Sequence, residues 1–185
     1  MHGASLDNYD PDILDYHIGY LPQRVQLLDE MIADNIARLD PNADAEKIVT
    51  AAKKAAAHDM ILKPPEGYYT VVTTTVGHLL GGHIERIGLA RAMYDDPVFL
   101  VLYEPNSNPD NEGSNALNAS IRAMKAEGKS VIIMAHRPAA IEECYTLLVL
   151  ENGTRVAFCP TDEVMSALVK NHAEIEKSAT PRGVS

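Results

Sequence analysis

The sequence predicts an α/β fold: a mostly parallel sheet with helices on both faces and a β-hairpin near the C-terminal end. Two short apolar runs, Val98–Leu102 (VFLVL) and Ser130–Ala135 (SVIIMA), lack polar alternation, the pattern of strands buried on both faces. Each follows a stretch with helical spacing, and strands alternating with helices favour a parallel sheet. The third observation is Asn152-Gly153 between two apolar runs, Thr146–Leu150 and Thr154–Phe158, a strong signal for a type I′ hairpin.

Taken in order, residues 1–16 are rich in turn-forming Asp, Asn and Pro, with one helical turn predicted at Pro11–Leu14. His17–Gln23 reads as a short strand closed by Pro22. Between Val25 and Leu39, the residues Ile32, Ile36 and Leu39 recur at helical spacing. A loop at Pro41–Asp44 leads into an alanine-rich helix, Ala45–His58, with Ile48, Val49, Ala52 and Ala56 on one face. A Pro-Pro-Glu-Gly turn follows. Gly81 and Gly82 then stand where the next helix begins, a place where free N–H groups suit phosphate. Glu104 lies at the carboxyl end of the strand after that helix, where open α/β sheets gather their ligand chemistry. A helix over Gly113–Glu127 carries Leu117, Ile121 and Met124 at i, i+4 and i+7, and Gly128 is its C-cap. After the hairpin, Thr161–His172 reads as an amphipathic helix with Asp162 and Glu163 in its first turn. Residues 173–185 read as a loose tail.

The totals narrow the function classes. With 185 residues, 46% hydrophobic and 23% charged, the chain is long enough to bury a core and is not compositionally disordered. A net charge of −10 disfavours nucleic acid and anionic lipid as partners for a general electrostatic field. No apolar run is long enough to span a membrane, and the N-terminal stretch lacks a basic region and apolar core. Cys144 and Cys159 have no metal spacing and read as reduced thiols of a cytosolic protein.

The stretch from Gly77 to Pro105 resembles the signature motif and Walker B strand of ATP-binding cassette (ABC) ATPases. Matching residues are Leu79, Gly81, Gly82, Arg86, Ala90, Arg91, Ala92, Leu102, Glu104 and Pro105. Gln23 matches the family's Q-loop glutamine, Asn106–Asp110 its D-loop, and His136 its switch histidine. The likeness is to exporter cassettes, especially those of type I protein secretion, and runs from about Gly3 to His172. It implies a P-loop NTPase-like fold over residues 1–172, with a helical subdomain at about 25–96 that includes the signature.

The resemblance implies roles for these positions. Glu104 and His136 are the catalytic pair, a general base and a histidine that contacts the γ-phosphate and organises the attacking water. Leu80, Gly81, Gly82 and His83 occupy the signature, where nucleotide is contacted. Asp110 lies in the D-loop, and Gln23 helps hold the metal and water. ATP and Mg²⁺ are the implied cofactors. The implied partners are a transporter membrane domain or a second cassette, with a cytoplasmic location at the inner membrane through that transporter.

Within Gly77–Pro105 three positions depart from the pattern: Leu80 for a serine, His83 for a glutamine, and Tyr103 for the Walker B aspartate. A phenol is a poor ligand for a hard cation, and a leucine side chain cannot donate to phosphate. Pro109 replaces the D-loop leucine. The only Gly-Lys-Ser, Gly128–Ser130, follows a helix and precedes a strand, the reverse of a phosphate loop. In the family, the Walker A loop lies before the Q-loop, so the chain is expected to lack that loop and the first strands. The expected function is therefore a partial cassette with impaired ATPase activity. The alternative is a non-catalytic module that docks on a transporter or another cassette. Uncovered strand edges would favour self-association.

Overall fold

The computed structural model describes residues 5–73, 81–105, 111–135 and 143–163. The chain divides into two compact units, Met1–His136 and Arg137–Ser185.

In the first unit, three strands form a parallel sheet in the order β1 (Ile18–Leu21), β2 (Phe99–Tyr103), β3 (Ser130–Met134). The register pairs Leu21 with Leu102, and Tyr103 with Met134. Leu21, Leu100 and Leu102 point to one face and are buried, with Val131 and Ile133 packed against them. Helix α5 (Gly81–Ala92) lies on β1, and helix α6 (Asn111–Ala126) on β3. The opposite face carries Tyr20 at 54%, Ile132 at 49% and Met134 at 41% exposure. That corrects the expectation of strands buried on both faces. The apolar runs are present, but among the described residues helices cover only one side. Among the described residues strand β3 also has a single strand neighbour, so its all-apolar run does not make it central there.

Helix α1 (Pro11–His17) opens on Asp10, whose carboxylate accepts from the Asp12 amide at 2.9 Å, with Pro11 at the first helical position. It runs three residues past the single turn expected. Helix α2 (Ile32–Ile36) stops early, because Arg38 and Leu39 adopt left-handed backbone and Leu39 is exposed. The Arg38 side chain explains the turn. Its Nε donates to the Arg91 carbonyl at 3.4 Å and its Nη1 to the Asp15 carbonyl at 3.2 Å.

The alanine-rich helix expected over Ala45–His58 is two helices, α3 (Ala45–Lys54) and α4 (His58–Ile61). Ala56, at φ +50, sits at the break and is exposed rather than on the buried face. The Ala57 amide reaches back to the Ala52 carbonyl and the Ala56 amide to that of Lys53, a Schellman closure built on alanine. The buried Ser120 hydroxyl lies 2.6 Å from the Lys54 carbonyl that the break releases. A contact 66 residues away thus compensates for a conformation that L-residues resist.

At the end of α6, Gly128 takes φ +74 as expected. Its amide donates to the Lys125 carbonyl and the Lys129 amide to that of Met124, completing a Schellman cap. Lys129 therefore belongs to a helix stop. Its ammonium joins Asp96 and Glu127, and Lys54 bonds the same two carboxylates at 2.7 and 3.0 Å. Hydrogen bonds from Lys129 and then Lys54 hold both carboxyl groups below their ordinary values of 3.8 and 4.5. Burial pulls Lys54 down, but its hydrogen bonds to Asp96 and Glu127 outweigh burial and leave it raised.

The sign of the pH effect follows. A depressed carboxyl pKa contributes stability that is complete above the unfolded value and disappears as pH falls through the folded one. The Lys54 contribution is complete below 10.5 and disappears above it. Asp96→Asn is expected to flatten the loss of stability below about pH 4.5, read from urea midpoints across that range. An unchanged acid slope would refute the assignment. The effect is modest, because the Asp96 side chain is 65% exposed.

The second unit contains the hairpin β4 (Thr146–Glu151) and β5 (Thr154–Pro160), antiparallel with a register shift at Val149/Leu150. Asn152 and Gly153 both take positive φ, at 49° and 76°, as a type I′ turn requires. The helix expected at Thr161–His172 lies outside the described residues beyond Glu163.

Candidate functional site

Parallel strands share a carboxyl rim, and the register decides which side chains meet there. Leu21 is level with Leu102, so Gln23 and Glu104 leave adjacent strands at matching heights. Gln23 is exposed and Glu104 half-buried. The Glu104 amide donates to the Met134 carbonyl at 2.7 Å, extending the ladder one step beyond β2. Its φ is +49, a strained value for a residue with a side chain, of the kind that collects at functional sites. Tyr103, one residue earlier, points to the opposite face and is 41% exposed.

Helix α5 is described from Gly81 onward. Gly81 is exposed, Gly82 buried and His83 half-buried. Arg86 is buried and folds back so that Nε donates to the Gly82 carbonyl at 3.3 Å. Leu21, Gly82, Arg86, Leu89 and Leu117 line a cavity of about 10 Å³, room for at most one water. The expected site residues Leu80, Asp110 and His136 lie outside the described residues.

Arg91 donates from Nη1 to the Gln26 carbonyl at 3.1 Å. Burial first, then the charge of Arg38, hold its guanidinium below the ordinary pKa. Asn35 is 1% exposed and holds the segment after Gln23. Its Oδ1 accepts from the Leu28 amide at 2.8 Å, and its Nδ2 donates to the Leu28 and Met31 carbonyls, each at 3.1 Å. Sequence reasoning missed Asn35. The signal available was spacing: with Ile32 and Ile36 it occupies i, i+3 and i+4 of a buried face.

No protein-family model matches the chain. Individual relatives do. The type I secretion system ATP-binding protein PrsD of Rhizobium meliloti is 42% identical over 170 residues, 92% of this chain and 29% of that protein. The chain belongs to the ABC exporter ATP-binding proteins. The alpha-hemolysin translocation ATP-binding protein HlyB of Proteus vulgaris is 36% identical over 153 residues, 83% of this chain and 22% of that one. A bacterial Atm1-family ABC exporter, solved with ATP bound, superposes with TM-score 0.79 at 26% identity, covering 98% of this chain and 32% of its own. The chain spans less than a third of the length of each of these proteins.

Within this ABC exporter fold, the donors present fit magnesium poorly. Gln23 and Glu104 offer oxygen ligands at adjacent strand ends, but the position beside Glu104 holds the Tyr103 phenol on the other face. Among the described residues, no three His, Cys, Asp or Glu side chains cluster as metal ligands. The cavity beside Gly82 is far too small for a nucleotide. The described residues therefore do not make a complete ATP–magnesium site by themselves. Among them, no helix is long and apolar enough to cross a membrane.

Proposed function

We propose that the chain is part of the ATP-binding cassette of an ABC exporter of the type I secretion class, with ATP binding and hydrolysis strongly impaired in these 185 residues alone. The observation that carries this is the shared rim: Gln23 and Glu104 leave adjacent parallel strands, and the glycine pair opens the helix packed beneath them. Impairment is supported by Tyr103 at the metal-binding aspartate position and Leu80 in the signature. Under this reading the working partner is a transporter membrane domain or a second cassette, and the location is the cytoplasmic side of the inner membrane.

A second reading is favoured by the exposed apolar sheet face bearing Tyr20, Ile132 and Met134. It is a non-catalytic module that docks on a transporter or another cassette.

Titration with a fluorescent ATP analogue, with and without magnesium, separates competence from impairment. No saturation below about 1 mM is expected. Magnesium-dependent saturation that disappears in Glu104→Gln or His136→Ala would overturn the impaired reading.

A further inference from the structure

We propose that helix α5 sets the position of Gln23, with Gly88 and Arg91 as positioning residues that fasten the segment after Gln23 to the helix.

Gly88 and Arg91 are three residues apart, so they face the same way on α5. At Gly88 a side chain is excluded by contact: a Cβ there would stand 2.6 Å from Val25 Cγ1 and 2.7 Å from Cγ2. The backbone of α5 therefore touches the Val25 side chain directly. One residue along, the Gln26 carbonyl accepts from Arg91 Nη1 at 3.1 Å. The far end of the segment is held separately, by the Asn35 bonds to Leu28. Only Pro22, Gln23 and Arg24 remain between the end of β1 and the first fastening.

Helix α5 is itself pinned at one end. Its Ala92 carbonyl lies so close to Gly19 of β1 that a Cβ there would collide with it, and the Arg91 carbonyl accepts from Arg38. Its first turn is tied back through Arg86 to Gly82. The carboxyl end of α5 is thus fixed to the sheet, Gly82 near its other end is buried beside Leu21 and Leu117, and the Gln23 segment is fastened to the middle. The fastening needs no nucleotide, so its test is independent of the function proposed above.

The chain has no tryptophan, so Gln23→Trp introduces a single fluorescent reporter at an exposed position. In that background, Arg91→Ala is expected to lower the steady-state anisotropy of the indole towards that of the denatured chain. Arg91→Lys, which keeps a donor, is expected to restore most of it. Gly88→Ala is expected to lower the anisotropy by displacing Val25, and adding Val25→Ala to recover it. Lys53→Ala, exposed on α3, leaves it unchanged. Anisotropy that stays at the parent value in Arg91→Ala and Gly88→Ala, with far-ultraviolet dichroism intact, would overturn the proposal. Should Arg91→Ala not fold, the Gly88 and Val25 pair decides by the same readout.

Discussion

Gly19→Ala is expected to cost about 3 kcal/mol and to lower the thermal midpoint by about 6–12 °C. An added Cβ would overlap the Ala92 carbonyl oxygen, and would lie 2.9 Å from Leu100 Cδ1 and 3.0 Å from Pro97 Cγ. A leucine methyl can rotate away, but a helix carbonyl moves only with its helix. The alanine gains at most about 1 kcal/mol from a less disordered unfolded chain, too little to offset the overlap. Thermal unfolding followed by circular dichroism measures the difference directly. A midpoint within 2 °C of the parent, about the shift for under 1 kcal/mol, would mean that β1 and α5 separate freely.

Asn35→Leu is expected to cost about 3 kcal/mol in urea unfolding, although the two side chains share heavy-atom count and branching. The Leu28 amide loses the Asn35 Oδ1 acceptor, whereas the Leu28 and Met31 carbonyls keep backbone donors from Glu30 and Asn35. An unsatisfied buried donor and the lost amide bonds account for the magnitude. Asn35→Asp supplies the sharper check. It keeps an acceptor for Leu28 but sets a carboxylate against the carbonyls that Nδ2 now serves. Burial raises that carboxyl group's folded pKa, so the penalty applies at neutral pH and fades as pH falls through it. Asn35→Asp should therefore be closer to the parent at pH 5 than at pH 7. Equal deficits at both would mean that solvent already reaches the side chain.

Elements whose signals are local were legible. The Gly128 stop and the Asn152-Gly153 turn each depend on residues within one turn of chain. Elements that depend on distant partners were not. The break after α3 is sustained by Ser120, and the end of α2 by Arg38 bonding to Asp15 and Arg91. Hydrophobicity likewise reports that a strand wants covering, without reporting what covers it. Hence β3 read as central while Ile132 and Met134 are exposed. At the candidate site, Gln23 and Glu104 each follow the end of one of two adjacent parallel strands, as the apolar runs before them suggest. The tie between Arg91 and Gln26 was illegible, because a motif names a side chain and omits the carbonyl it seeks.

The direction of β3 gives the Gly-Lys-Ser tripeptide a meaning that pattern matching reverses. Ser130 opens the strand, and the Glu104 amide bonds the carbonyl of Met134 at its close. At about 3.3 Å per residue, the strand sets Lys129 roughly 16 Å from the rim that carries Glu104. No rotation of a four-carbon stem spans that interval. A chemist tethering a phosphate mimic to Lys129 would be working on the back of the sheet's active edge, with the whole strand standing in between.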